Sequence, residues 1–409
     1  MNSSPEVTIS LLVYGPSPWL PDVIDALLAN TAIPYELIVI DNGTTDDTRA
    51  YLATLEKARL VQPGRNLGFG VGHSYAANLA RGRYFVTLNS DALVPPGWLE
   101  ALIAPLAADP AVGAAMPVYV YPDGRLQEAG AAVEPSGQVI AFGRFDDVER
   151  VEHRVSGPVP FASAACMVTR TSTFRALGGF DARYGVAYYE DVDFAFALLA
   201  RGLRVELVAD VRVVHAQGAS STTASDAERM LLGNRERFRA RYAPLLAGRP
   251  YVYARPEAHH LAAARDFDRC DRVLVVLDHF GAPGALTPGT QLVETLLARL
   301  RDGRVTVAAG GWPAVVARDA WLARGVEVTA QVDLGSLGPA RRFHYAAVVA
   351  VPPAPADLAA IVRDTQPQAT MTEPPPRDTL DRPDAFDAWL GSIGLVARLA
   401  PPAEMGAPL

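Results

Sequence analysis

The sequence predicts an α/β protein: a mostly parallel, doubly wound sheet, followed by a smaller Rossmann-like α/β domain. Three observations predict it. Strand and helix signals alternate through the first 115 residues, the pattern that builds a sheet covered by helices on both faces. The stretch YELIVID, Tyr35–Asp41, is nearly unbroken in its apolar run, as strands buried on both faces are. A second alternation begins near residue 271, after a proline-bearing break.

In order, Val7–Tyr14 reads as a buried strand. Pro18–Ala29 reads as a helix with Leu20, Val23, Ile24, Leu27 and Leu28 on one stripe. Tyr35–Asp41 is the second strand, Thr45–Glu56 a helix, and Ala58–Pro63 holds a short strand. Gly70–Arg81 (helix), Tyr84–Leu88 (strand), Pro96–Ala108 (helix) and Val112–Val118 (strand) continue the alternation. Residues 119–160 are rich in Gly, Pro and charge and predict an irregular insertion or hairpin. Strand Ala164–Thr169, helices Ser172–Leu177 and Val192–Arg201, strand signals in Arg204–Val214 and helix Ala227–Arg241 complete a first domain over residues 1–245. A linker is expected at 246–270. The accessory domain, 271–365, carries strands at Arg272–Leu277, Val305–Ala309, Val326–Val332 and Tyr345–Val351. Its helices are expected at Thr290–Arg301, Val315–Arg324 and Ala356–Asp364. The tail, 366–409, is Pro-rich, and only a short helix near Ala385–Leu390 is expected there.

The bulk numbers narrow the function. The 409 residues suffice for two or three domains with ample core, and half of them are hydrophobic. A net charge of −8 argues against a general nucleic-acid partner, which requires a basic surface. A small anionic ligand needs only local positive charge or a metal. Cys166 and Cys270 are the only cysteines; they fit a reducing compartment and exclude a disulfide framework or a Cys-type zinc site. Met1–Glu6 has no basic region before an apolar stretch, and no run of about 18 apolar residues occurs. The expectation is a cytoplasmic protein, with at most a peripheral contact at the inner face of the plasma membrane.

Open α/β sheets bind ligands beyond the carboxyl ends of their strands, so strand ends come first. YELIVID ends in Asp41, and Asn42, Gly43, Thr44, Thr45 and Asp46 follow. A carboxylate there can accept from the N3–H of a pyrimidine ring; equally, the whole segment can be turn and helix cap. Gly64–Gly70, GRNLGFG, opens a helix and can approach a pyrophosphate, although its spacing also suits packing. Asn89, Ser90 and Asp91 follow a strand; Asp91 can hold Mg2+ or Mn2+ against a diphosphate, or can cap. Glu190, Asp191 and Asp193 crowd a helix start. The helix dipole accounts for part of this, and a general base raised by like charge accounts for another part. His215 ends a strand; it is either structural or the partner of Asp91 in a mixed N/O metal site.

Taken together, VTISLLVY, YELIVIDNGTTDDT, GRNLGFG, GRYFVTLNSDALVPPGWLE, ACMVTRTSTFRALGGFD, YYEDVDFAFALLARG and VRVVHAQG resemble, in order over about Val7–Tyr242, the inverting family 2 glycosyltransferases of the GT-A fold. The branch is rhamnosyltransferase-like. The resemblance implies transfer of a sugar from a nucleoside-diphosphate sugar to an acceptor hydroxyl in bacterial surface polysaccharide synthesis. It implies donor binding by Asp41, Asn42, Asn66, Asn89, Ser90 and Asp91, a Mg2+ or Mn2+ site at Asp91 and His215, and a base at Asp191 with Glu190 as rival. The acceptor implied is a glycan or lipid-linked glycan, and partner glycosyltransferases are candidate partners. The D-x-D motif departs from its pattern at Asn89, the arginine usual near position 197 is Ala197, and an asparagine often found near position 73 is His73. A deoxyhexose such as rhamnose is the donor sugar favoured.

A sugar-phosphate nucleotidyltransferase would need a basic Gly-rich loop after the first strand, and Tyr14–Pro18 has no basic residue. The other competing reading is a non-catalytic nucleotide-sugar or glycan-binding module on a degenerate GT-A domain. In the second half, Val273–Leu277 followed by Asp278, His279, Phe280, Gly281, Gly284 and Gly289 resembles a truncated GT-B amino-terminal half. A generic Rossmann-like domain is the alternative. Helix Ala227–Arg241 carries Arg229, Arg235, Arg237, Arg239 and Arg241, with Leu231, Phe238 and Tyr242 along one stripe. It suits either an anionic lipid surface or plain solvation.

Overall fold

The computed structural model describes residues 5–150, 153–154, 156–216, 224–252, 264–268, 271–300, 304–310, 317–322, 324–330 and 345–395. Cys270, Val315, Val332, Pro401 and Pro402 lie outside the described residues. The chain divides into two units, Met1–Tyr251 and Val252–Leu409.

The first unit begins β1 (Val7–Gly15), α1 (Leu20–Asn30), β2 (Tyr35–Thr44), α2 (Asp46–Leu52), β3 (Ala58–Val61), α3 (Phe69–Leu79) and β4 (Tyr84–Asn89). It continues through β5 (Ala92–Leu93), α4 (Trp98–Ala108) and β6 (Val112–Val120). The short strands β7 (Leu126–Glu128), β8 (Ala131–Val133), β9 (Val139–Ala141) and β10 (Gly157–Val159) follow. Then come β11 (Cys166–Arg170), α5 (Thr171–Ala176), α6 (Glu190–Leu199), β12 (Arg204–His215) and α7 (Ala224–Leu246). The insertion expected at 119–160 is thus built of short strands, with β8 and β9 as an antiparallel hairpin.

The main sheet runs β10-β12-β6-β11-β4-β1-β2-β3, with β5 on β12 and β7 on β6. β1 is parallel to both β2 and β4, and β2 to β3. β11 is antiparallel to β4 and to β6, while β12 is parallel to β6. Hence β1, β2, β3, β4, β6 and β12 all point the same way, and β11 runs against them. The carboxyl ends of the former and the residues just before β11 therefore share one edge of the sheet. The chain winds outward from β1 to β2 and β3, then returns to β4 on the other side of β1, which is the switch point where such sheets open a crevice. Ser17 Oγ, just past β1, donates to Ser90 Oγ, just past β4, across it at 2.9 Å.

Alternation in the strands fills both faces. Val7, Ile9, Leu11 and Val13 pack with Leu20, Val23 and Leu27 of α1 and with Trp98 and Leu102 of α4. On the other face Ile38, Ile40 and Phe85 pack with Ala76 and Ala77 of α3 and with Phe174, Phe194 and Phe196. In α7, Phe238 and Tyr242 are buried as expected, but Leu231 is exposed and the buried stripe continues through Asn234 instead. Positions 231, 234, 238 and 242 share one helical face, and burial along it ends at Asn234 before it reaches Leu231.

The second unit holds β13 (Arg272–Leu277), α8 (Pro288–Arg299), β14 (Arg304–Ala309), α9 (Arg318–Leu322), β15 (Glu327–Ala330), β16 (Ala347–Ala350) and α10 (Leu358–Thr365). β17 (Thr370–Thr372), α11 (Arg377–Leu380) and α12 (Pro383–Ser392) follow. Its five strands are all parallel in the order β15-β14-β13-β16-β17. The proline-rich stretch after 366 has more order than its composition predicts. Pro383 starts α12, where a missing N–H costs nothing, and Phe386 and Leu390, one turn apart, fill the core beside Val273 and Leu296.

One glycine fixes where α3 begins. Gly68 has φ +80°, and a Cβ there would lie 2.6 Å from the Gly185 carbonyl oxygen and 2.8 Å from Val186 Cα. Phe69 N donates to Val186 O at 2.8 Å in the same place. Gly68→Ala meets both a left-handed backbone and a backbone clash. It should cost about 2 kcal/mol or more, read as a lowered urea midpoint.

Candidate active site

The tightest part of the shared edge joins β4 to β12. Leu93 pairs with Val214 and Ala92 with His215, and Ala216 N donates to Asp91 O at 3.0 Å. That pairing sets His215 Nε2 3.3 Å from Asp91 Oδ1. Asn89 Nδ2 lies 3.2 Å from the same Nε2. The tautomer follows from the other side of the ring. Gln127 Nε2 donates to His215 O at 3.0 Å, which fixes the amide so that its Oε1 faces His215 Nδ1 at 2.7 Å. An amide oxygen only accepts, so Nδ1 carries the proton and Nε2 offers its lone pair toward Asn89 and Asp91. Asp91 and His215 are both buried, and a cation suits the gap between a carboxylate oxygen and an imidazole lone pair. Among the described residues no group of three His, Cys, Asp or Glu gathers around a metal position. A metal held by Asp91 and His215 would therefore take its other ligands from a diphosphate and water, the usual habit of Mg2+.

The end of β2 is more self-contained. Asp41 Oδ1 accepts from Gly43 N, Thr44 N and Thr44 Oγ1, and Oδ2 from Arg49 Nε and Gln62 Nε2. Burial pushes this carboxyl up, but the Thr44, Arg49 and Gln62 hydrogen bonds outweigh it and hold its pKa below the usual range. Asn42 Nδ2 donates to Asn66 Oδ1 at 3.0 Å, and its Oδ1 accepts from Leu67 N at 2.7 Å. Asn66 Oδ1 also accepts from Gly68 N at 2.7 Å. Asn42 and Asn66 thus clasp the GRNLG loop onto the end of β2.

The third part is the start of α6. Asp191 Oδ2 accepts from Ala164 N at 3.3 Å and Oδ1 from Val192 N at 2.9 Å. Burial raises its proton affinity, and the amides of Ala164 and Val192 restrain the rise. Glu190 is 6% exposed, and its Oε2 has no hydrogen-bond partner. Burial first, then the neighbouring Asp191 charge, push its pKa up, so Glu190 keeps its proton when Asp191 has lost its own. Asp193 turns away into Tyr184 Oη at 2.8 Å and Arg241 Nη1 at 2.9 Å. The two residues before α6, Tyr188 and Tyr189, both have φ +75°. Asn234, 1% exposed on α7, donates through Nδ2 to the carbonyls of Tyr184, Ala187 and Tyr188 and fastens this strained bend.

The nine residues singled out from the sequence therefore fall into three groups along one edge. Asn89, Ser90, Asp91 and His215 close on the β4–β12 junction, Asp41, Asn42 and Asn66 on the end of β2, and Asp191 with Glu190 on the residues before β11. Gln127, Glu128, Asn234 and the Ser163–Ala164 amides were missed. Each lies outside any motif, and only the fold brings it to the edge.

A family model described as Glycosyl transferase family 2 matches residues 8–178. The O-antigen biosynthesis protein RfbC of Myxococcus xanthus is 31% identical over 234 residues, covering 54% of this chain and 18% of that protein. This chain thus spans less than a fifth of that relative's length. The N-acetylglucosaminyl-diphospho-decaprenol L-rhamnosyltransferase of Mycobacterium tuberculosis is 29% identical, covering 51% of this chain and 76% of that protein. Among solved structures, mannosyltransferase PcManGT from Pyrobaculum calidifontis in complex with GDP-Man and Mn2+ aligns with TM-score 0.40 at 19% identity. It covers 72% of this chain and 80% of its own.

Glu190 gives a pH prediction. Its folded-state pKa lies above the unfolded value of about 4.3. The folded state therefore binds the proton more tightly, and stability falls as pH rises from that value toward the folded one. Urea midpoints of the wild type should drop from pH 5 to pH 8 more than those of Glu190→Gln.

Proposed function

Residues 8–178 belong to glycosyl transferase family 2, and from this premise we propose that the first unit moves a sugar, with inversion, from a nucleoside-diphosphate sugar to an acceptor hydroxyl. The observation that carries the reading is convergence. Asp91, Asn89 and His215 meet within 3.3 Å at the switch-point edge, and Asp191 reaches the same edge on the amide of Ala164. Donor binding falls to Asp91, Asn89 and Ser90, with Asp41, Asn42 and Asn66 shaping the base side of the crevice. Asp91 and His215 would hold Mg2+ or Mn2+, which when bound neutralises charge on the leaving diphosphate.

The chain's own groups account for the proton. The acceptor oxygen attacks the anomeric carbon as the bond to the diphosphate breaks, and Asp191 takes the hydroxyl proton. Glu190, buried and protonated, leaves Asp191 as the ionised member of the pair. The acceptor is a glycan or lipid-linked glycan of a bacterial surface polysaccharide, and the donor sugar a deoxyhexose such as rhamnose. The names of the Myxococcus and Mycobacterium relatives support this class. Among the described residues no helix is long and apolar enough to cross a membrane. The site is assigned to the inner face of the plasma membrane through a peripheral contact, with partner glycosyltransferases acting before and after it.

A thermal-shift panel of UDP-, dTDP- and GDP-sugars with Mn2+ identifies the donor. Asp191→Asn should then lower turnover about 10²–10⁴-fold while nucleotide binding persists; full turnover in that variant would move the base elsewhere. Gln127→Leu leaves His215 Nδ1 without its acceptor and should weaken Mn2+ binding in the presence of nucleoside diphosphate about 10–100-fold by titration calorimetry. Unaltered Mn2+ affinity would remove His215 from the metal site.

A further inference from the structure

Glu128 follows Gln127 at the end of β7, inside the insertion that carried no motif. Its Oε1 accepts from Ser163 N at 2.7 Å, while Asp191 Oδ2 accepts from Ala164 N at 3.3 Å. Two carboxylates therefore hang on adjacent amides of one turn, directly before the reversed strand β11. Both are only partly buried, and among the described residues neither is in a salt bridge. The turn itself is rigid: Tyr119 Oη donates to Ser163 O at 2.7 Å and accepts from Cys166 N at 2.8 Å.

We propose that Glu128 is a positioning residue of the reaction centre, paired with Asp191 across the Ser163–Ala164 turn, whose charge sets how strongly Asp191 holds a proton. The proposal rests on the reading of Asp191 as the base. Like charges fastened to neighbouring amides cannot both ionise freely, so the state of one carboxyl fixes the basicity of the other. The groups facing Glu128 are Asp191 on α6, Tyr119 on β6 and Arg144 in the loop after β9. Burial first, then the Asp191 charge, push Glu128 up to about 7; the Ser163 amide and Arg144 pull the other way. Ionised Glu128 makes Asp191 the better base. Protonated Glu128 relieves the repulsion and makes it a weaker one. No further reactant is involved, because the acceptor proton still ends on Asp191.

The first measurement needs no substrate. In protein labelled with 13C at the glutamate carboxyls, the Glu128 signal is the one missing from E128Q. Gln at 128 keeps an oxygen for the Ser163 amide, so the fold persists. The signal should titrate near neutrality in the wild type and move down by about one pH unit or more in D191N. An ordinary carboxyl midpoint, or the same midpoint in D191N, would overturn the pairing. The second measurement is the pH profile of nucleotide-sugar turnover. Wild type should rise between about pH 6 and 8, and E128Q should be flat there, with KM for the donor unchanged. An identical rise in E128Q would overturn the proposal even if Asp191→Asn abolished turnover. Full turnover in Asp191→Asn would instead remove the base reading on which the proposal rests.

Discussion

The site depends on one small interaction, the two-residue pairing of β5 with the end of β12. Strand β12 is the far side of the sheet from β1, and β4 reaches its own end three strands away. Only because Ala92 turns back to pair with His215 does Asp91 stand 3.3 Å from an imidazole that is 124 residues on in sequence. Gln127 then locks the ring from behind with two hydrogen bonds. Backbone pairing places the ring, and the side-chain amide chooses which nitrogen faces the gap. Removing either leaves two polar groups near each other without a shared purpose.

Six carboxylates crowd this edge; Asp91 faces His215, and the surroundings of the other five divide the work. Asp41 is saturated by its own turn and by Arg49, so it is ionised and immobile. Asp193 is taken by Tyr184 and Arg241 and ties α6 to α7. Glu190 is buried with its Oε2 unpartnered, and burial and the Asp191 charge hold its proton. What remains is Asp191 and Glu128, each held by one amide of the same turn, with Val192 N a second donor to Asp191. A carboxylate wrapped in donors is a poor proton acceptor, because each donor stabilises the charged form. Burial raises the proton affinity of Asp191, and its amide donors only restrain that rise.

Strands and helices of the first unit were legible because each obeyed a period: YELIVID as a doubly covered strand, Leu20, Val23 and Leu27 as one helical stripe. Strand-end acids were legible because α/β sheets open at that end. The insertion was not, since β7 to β10 are three residues each and too short to show alternation. That is why Gln127 and Glu128, which hold His215 and flank Asp191, carried no signal. The α7 stripe was misread at Leu231 for a different reason. Its true third member is an asparagine, and a hydrophobic pattern search passes over a buried polar residue. The ordered tail was hidden by prolines that fall at a helix start instead of inside one.

That same asparagine explains how the bend before α6 persists. Tyr188 and Tyr189 hold left-handed backbone angles that cost about 1–3 kcal/mol each for bulky residues. An ordinary bend would relax by rotating one tyrosine, which would swing Asp191 off the Ala164 amide. Asn234 resists by sharing the two N–H donors of its amide among three carbonyls of the bend, from a position buried on the same face of α7 as Phe238 and Tyr242. Tyr189 adds a hydrogen bond from its hydroxyl to Gly137 O at 2.8 Å, tying the bend to the insertion as well. Hydrogen bonds worth about 0.5–1.5 kcal/mol each can together offset the strain. On this argument α7 serves the site through its buried face, and its arginine-rich outer face is a separate matter.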